Sequence, residues 1–142
     1  MNSPATDLAK LLEAHGLGSM GLGTTGPGAG TGIFVGDEPP EPSESITLYS
    51  AGGTVEDTLT CEAIDSFRVQ VRCRARSYQA AWDMALSVEA VLDRRKDYSV
   101  PDGTLTVWYI VILRREPVAE LGRDEKHRSI MVQNYTGLRQ RL

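Results

Sequence analysis

The chain has 142 residues, a net charge of −4 and 14 glycines. This length suits one domain with a sizeable core, burying about 68–70% of the unfolded chain's surface, and the acidic balance argues against a dedicated duplex-binding protein, which needs a basic surplus. Two cysteines, Cys61 and Cys73, form no even-numbered framework, so a reduced intracellular setting fits better than secretion. The start, with Asp7 and a single lysine before Glu13, has the pattern of neither a signal nor a transit peptide, and no run approaches the roughly 20 apolar residues that cross a bilayer.

Ser3, Pro4 and Asp7 open a short helix with a capping side chain, a first-turn proline and an early acid. Leu8, Leu11 and Leu12 give it an apolar stripe, and His15 and Gly16 end it. Eight glycines between Gly16 and Gly32 predict a flexible loop over 16–32. Ile33 to Val35 reads as a short strand, the prolines at 39, 40 and 42 as a stiff turn, and Ser45 to Tyr49 as a second strand. Residues 54–65 collect Glu56, Asp57, Glu62 and Asp65 without clear periodicity and are expected to form a functional loop.

From residue 66 the pattern is sharper. Phe67, Val69, Val71 and Cys73 alternate with Arg68, Gln70, Arg72 and Arg74, so one strand face is built for burial and the other carries a row of guanidinium groups. Arginines two apart lie roughly 7 Å from each other, and their repulsion in water costs only about 0.6 kcal/mol per pair. In a drier contact the row needs acidic partners. A solvated outer face is the plain alternative.

Ser77 then opens an amphipathic helix with Tyr78, Trp82, Ala85, Val88 and Leu92 at helical spacing, expected to face the core, and Arg94, Arg95 and Lys96 at its carboxyl end. Pro101 to Gly103 marks a turn. Leu105 to Leu113, apolar on both faces, is expected at the sheet's middle. A hydrophilic stretch, 114–128, leads to a final strand from Ser129 to Tyr135 and a polar tail at 137–142. The fold class predicted is α+β: one domain over 1–142, a mainly antiparallel or mixed sheet of about five strands, and two helices on one face.

Little in this order invites catalysis. Gly16, Gly18 and Gly21, and again Gly21, Gly23 and Gly26, have dinucleotide-type spacing, but they follow a helix and precede a strand, the reverse of the required context. His15 and His127 stand apart, and no Cys or His spacing suits a metal. Asp124 and Glu125 belong to an alternating charge run better explained as a hairpin tip. No nucleophile has an adjacent base. The expectation is a non-enzyme with no cofactor and no metal.

Several segments in order, Ile33-Phe34-Val35-Gly36-Asp37-Glu38-Pro39-Pro40-Glu41-Pro42, Ile46-Thr47-Leu48-Tyr49, Val69-Gln70-Val71-Arg72, Tyr78-Gln79-Ala80-Ala81 and Gly122-Arg123-Asp124-Glu125 with Arg128, resemble the minor capsid or tail terminator proteins of long-tailed bacteriophages. The resemblance spans most of the chain, although the glycine stretch is longer than the family's. It implies a virion protein, assembled in the host cytoplasm, that forms a ring, commonly hexameric, at the head-proximal end of the tail tube. There it would end tube polymerisation and join the tube to the head connector or stopper. DNA would pass through the lumen without specific binding, and no membrane is implied. A head-side neck component, connector or stopper, is the nearest alternative; a nucleic-acid module using the arginine strand is the other. Ring closure uses unlike patches on neighbouring copies, and Arg68, Arg72 and Arg74 facing Glu56, Asp57 or Glu62 of a neighbour form the expected complementary pair.

Overall fold

The structure is a computed structural model that describes residues 2–20, 30–52, 55–58 and 61–141, side chains of 55–58 and 61–63 excepted. Helix α1, Pro4–Ala14, begins where Ser3 Oγ accepts the Thr6 amide at 3.2 Å, and the chain turns away at Gly16 with φ +77°. Strands β1, Ser19–Met20, β2, Gly32–Val35, and β3, Ser45–Ser50, follow. Strand β4, Val55–Thr58, pairs antiparallel with the start of β5, Cys61–Ala75, before helix α2, Tyr78–Leu92, capped by Ser77. Strands β6, Arg95–Asp102, β7, Leu105–Arg114, β8, Ala119–Arg123, and β9, Ser129–Arg141, complete the described fold.

All the strands belong to one sheet. Its main path runs β1-β2-β3-β5-β9-β7-β6, with β4 beside β5 and β8 beside β9. The α+β class holds, but among the described residues the sheet has nine strands rather than about five, and it is mixed, because β1, β2 and β3 run parallel. A parallel pair needs a crossover. The proline segment is therefore no tight turn: residues 36–44 return the chain from the end of β2 to the start of β3.

Several sequence-level boundaries move for identifiable reasons. The acidic stretch 54–65, expected as a loop, contains β4 and the start of β5, joined by pairs such as Val55 with Asp65. The glycine loop 16–32 gives Ser19 and Met20 to β1, while 21–29 lie outside the described residues. The tail at 137–142 is strand as far as Arg141, its polar residues held by Arg139–Asp65 and Arg141–Asp102 ion pairs. Strand β7 lies next to the edge rather than in the middle. It looks central because Val107, Tyr109 and Ile112 are buried while Leu113 lines the opposite, open face.

Register identifies the two faces of the sheet. Val71 stands opposite Leu48 on β3 and Gln133 on β9, and Cys73 opposite Ile46 and Met131; directly opposed residues share a face. This face meets both helices. Gln133 Nε2 donates to the Ala85 carbonyl of α2 at 2.6 Å, and Tyr109, edge-on to Phe67 at 5.3 Å, donates through its hydroxyl to Asp7 of α1 at 2.5 Å. Leu8, Leu12, Leu48, Val71, Val88 and Leu92 between them are fully buried, each stabilising the fold by about 1.5–3 kcal/mol. Trp82, expected in the core, is partly buried against it, whereas Tyr78 is 45% exposed and stacks on Trp82 at 6.4 Å.

Candidate assembly surface

The face of β5 opposite the helices carries the arginines, and their three environments differ. Arg74 is 2% exposed. Its Nη2 donates to the carbonyls of Pro39 at 2.7 Å and Pro42 at 2.8 Å, its Nε to Ser43 at 3.4 Å, and its Nη1 lies 3.4 Å from Glu38 Oε1. Proline creates this opportunity. Lacking an amide hydrogen, it contributes acceptors but no donors, so a loop rich in proline presents a surplus of carbonyls that a five-donor guanidinium can satisfy. Burial, and then the nearby Arg128 charge, draw the Arg74 pKa below its ordinary value, against the pull of Glu38, Asp124 and Glu41.

A second arginine holds the same loop from the other side. Arg128 Nη1 donates to the Pro40 carbonyl at 2.6 Å, and its Nε to Asp124 Oδ2 at 2.7 Å. Asp124 Oδ1 also accepts the amides of Lys126 and Arg128, and Lys126 Nζ reaches Glu41 at 3.1 Å. Burial works to raise the Asp124 pKa; the Arg128 amide and guanidinium and the Lys126 amide outweigh it and leave the carboxyl below its usual range. Asp124 thus anchors the turn between β8 and β9.

Arg72 is half-buried, with Nε 3.5 Å from Glu38 Oε2. Arg68 is exposed. The row therefore divides into a lidded end, where Arg74 and Arg72 hold residues 38–43, and an open end at Arg68. The side chains of Glu56, Asp57 and Glu62, the expected counterparts, lie outside the described part. What sequence reasoning missed is Glu38 and the proline carbonyls, more than thirty residues upstream of Arg74; the surplus of acceptors in the Pro39–Pro42 run was the available signal.

The open end continues across the sheet. Arg68 lies opposite Thr136, which pairs with Leu113, and Gln70 lies opposite Asn134, whose carbonyl accepts the Arg115 amide at 2.8 Å. Leu113 and Leu138 are 41% and 39% exposed there. The result is a mixed surface of basic and apolar groups, backed by the main core. Such a surface is suited to contact with another protein. Among the described residues, no three His, Cys, Asp or Glu side chains are grouped to hold a metal, and no helix is long and apolar enough to cross a membrane.

Residues 11–139 match the family model described as bacteriophage tail terminator protein. No curated protein matches the chain. Among solved structures, the chain is similar to one titled "Virion of native gene transfer agent (GTA) particle", at 12% identity, over 75% of this chain and 78% of that one, with a TM-score of 0.43.

Proposed function

The chain belongs to the bacteriophage tail terminator protein family, and from that premise we propose that it forms a ring on the head-proximal end of the phage tail tube, ending tube growth and joining tail to head. The observation that carries this reading is the family match across residues 11–139. The ring, commonly six copies in such proteins, has the tail tube protein on one side and a head connector or stopper on the other.

A sheet face backed by the core is consistent with a contact between copies. A closed ring sets one patch of each copy against a different patch of the next, and the sheet offers a stiff open face for one of the two. Within the arginine row, Arg68 is the neighbour-facing member, Arg72 stands at the margin, and Arg74 holds the crossover loop in place. Their counterparts are Glu56, Asp57 or Glu62 of the adjacent copy, which fix register and partner choice more than raw affinity.

Negative-stain imaging of the purified protein, alone and mixed with tail tubes, tests the function. Rings capping one end of each tube, and tubes that no longer lengthen, are the expected result. Tubes that keep growing with bare ends would refute it, and binding to tailless heads alone would assign the chain to the head side of the neck.

A further inference from the structure

Among the described residues, Arg72, Arg74, Arg114, Arg128, Arg139 and Arg141 each have a carboxylate within 3.6 Å. Arg68 and Arg115 have no such partner there, and they line the same cleft. Its volume is about 120 Å³, with Ala51 and Asn134 completing the rim, far above the roughly 10–15 Å³ that one water demands. No acid lines it. Arg68 comes from β5 and Arg115 from the segment after β7, nearly fifty residues later; the bond from the Arg115 amide to the Asn134 carbonyl, 2.8 Å, fixes that approach. Two guanidinium groups around one small concavity repel each other until an anion separates them, and a carboxylate accepting from both is the strong form of such a contact.

We propose that this two-arginine cleft is a receptor for a carboxylate of a second copy of this chain, supplied by its β4–β5 strand pair. Charge complementarity favours that segment over the other acid-rich stretch, 37–44, where Glu38, Glu41 and Glu44 already face Arg72, Arg74, Lys126 and Arg76. Between residues 54 and 66 there are four acids, Glu56, Asp57, Glu62 and Asp65, and no base; Asp65 is engaged by Arg139 at 3.6 Å, so the proposal takes its carboxylate from Glu56, Asp57 or Glu62. Leu113 and Leu138 beside the cleft would cover the apolar residues of the incoming strands. A phosphate backbone is the other anion of suitable chemistry, but a chain of net charge −4 repels it overall. The inference rests on the head-to-tail ring proposed above and adds Arg115 as a contact that the alternating pattern of β5 does not contain.

A charge-swap experiment on the full chain separates the two ideas. One variant carries Arg68→Glu and Arg115→Glu; a second carries Glu56→Arg, Asp57→Arg and Glu62→Arg. Circular dichroism reports folding, and analytical ultracentrifugation with imaging reports ring closure. Each variant alone is expected to need at least about tenfold more protein to assemble, because like charges face each other at every contact. Mixed one to one, they are expected to recover rings of alternating copies. Should either variant be unfolded, Arg68→Gln with Arg115→Gln replaces it, and wild-type rings should loosen with salt where the neutral pair does not. Normal rings from the Arg68→Glu, Arg115→Glu variant, folded variants whose mixture recovers nothing, or a neutral pair with wild-type salt dependence would each overturn the cleft while leaving the ring reading intact. Retention of generic duplex DNA by the wild type, lost with Arg115→Glu, would hand the cleft to phosphate and overturn it too. A wild type that never closes rings, with or without tubes, would remove the ring reading and the inference together.

Discussion

Replacing Arg74 by methionine keeps the apolar stem and deletes the guanidinium, so it isolates what that group does for the crossover loop. Arg74 makes two short bonds to carbonyls, at 2.7 and 2.8 Å, a longer one at 3.4 Å, and an ion pair with Glu38. A hydrogen bond from a charged donor contributes about 1.5–3 kcal/mol, and removing one member of a buried charged set costs about 3–5 kcal/mol because the other is left without compensation. Glu38 is itself 15% exposed and keeps Arg72, which puts the expected loss near the lower end, about 3 kcal/mol. For a domain of this size that corresponds to a fall in Tm of about 6–12 °C. Urea denaturation followed by circular dichroism measures it directly. Adding Glu38→Gln should cost much less in the Arg74→Met background than in the wild type, since the two share one network. A loss below about 1 kcal/mol, or strictly additive effects, would refute the account of Arg74 as the tie that holds the loop.

Other outcomes follow from separate parts of the molecule. Gly137 sits where an added methyl would collide with the Val111 carbonyl oxygen and lie 2.7 Å from the Phe67 ring, so Gly137→Ala should destabilise by more than about 2 kcal/mol, measurable as a fall in Tm. Cys73 is fully buried, which pushes its thiol up to about 12; in a Cys61→Ser background, a thiol reagent at pH 8 should label it only as the protein unfolds, and rapid labelling of native protein would contradict the packing of β5 against the helices. The Asp124 carboxyl, held below the ordinary carboxylate pKa, contributes stability that is complete above the unfolded value, near 3.9, and is lost as pH falls through the folded one. Asp124→Asn should therefore be less stable than wild type at pH 7 and show a shallower decline in stability between about pH 5 and pH 3.

Local chemistry made the helices and the strongest strand legible. Ser3 and Ser77 cap where capping residues precede apolar stripes, and the strict alternation from Phe67 to Arg74 matches one buried and one outer face. Gly103, at φ +63°, turns the chain between β6 and β7 as the Pro101 to Gly103 signature predicts. Long-range pairing explains the misses. Arg95 and Lys96 read as the carboxyl end of the helix and Pro101 as the start of a turn, yet Arg95 to Asp102 forms an edge strand, where only one side needs a partner. Gly137 to Arg141 reads as a tail because its charges find Asp65 and Asp102 only after folding. In the candidate surface, the arginine face was visible from alternation alone, whereas its division into a lidded and an open part depends on a loop that crosses over it from another region of the chain. Arg115 escaped notice for the same reason: it sits in a charged connecting stretch and becomes part of a cleft only through its backbone bond to Asn134.

Among the described strands, β9 is the bridge between the β3-β5 side of the sheet and the β7-β6 side, and it comes later in the chain than every strand it joins. As the polypeptide leaves the ribosome, β5 and β7 must wait with naked edges, and the nascent chain cannot complete its sheet until residues 129–141 have emerged. Pairings this distant in sequence form slowly, and unpaired edges invite aggregation meanwhile. The finished chain then presents the arginine-bearing face of its sheet already rigid, its most vulnerable interval past.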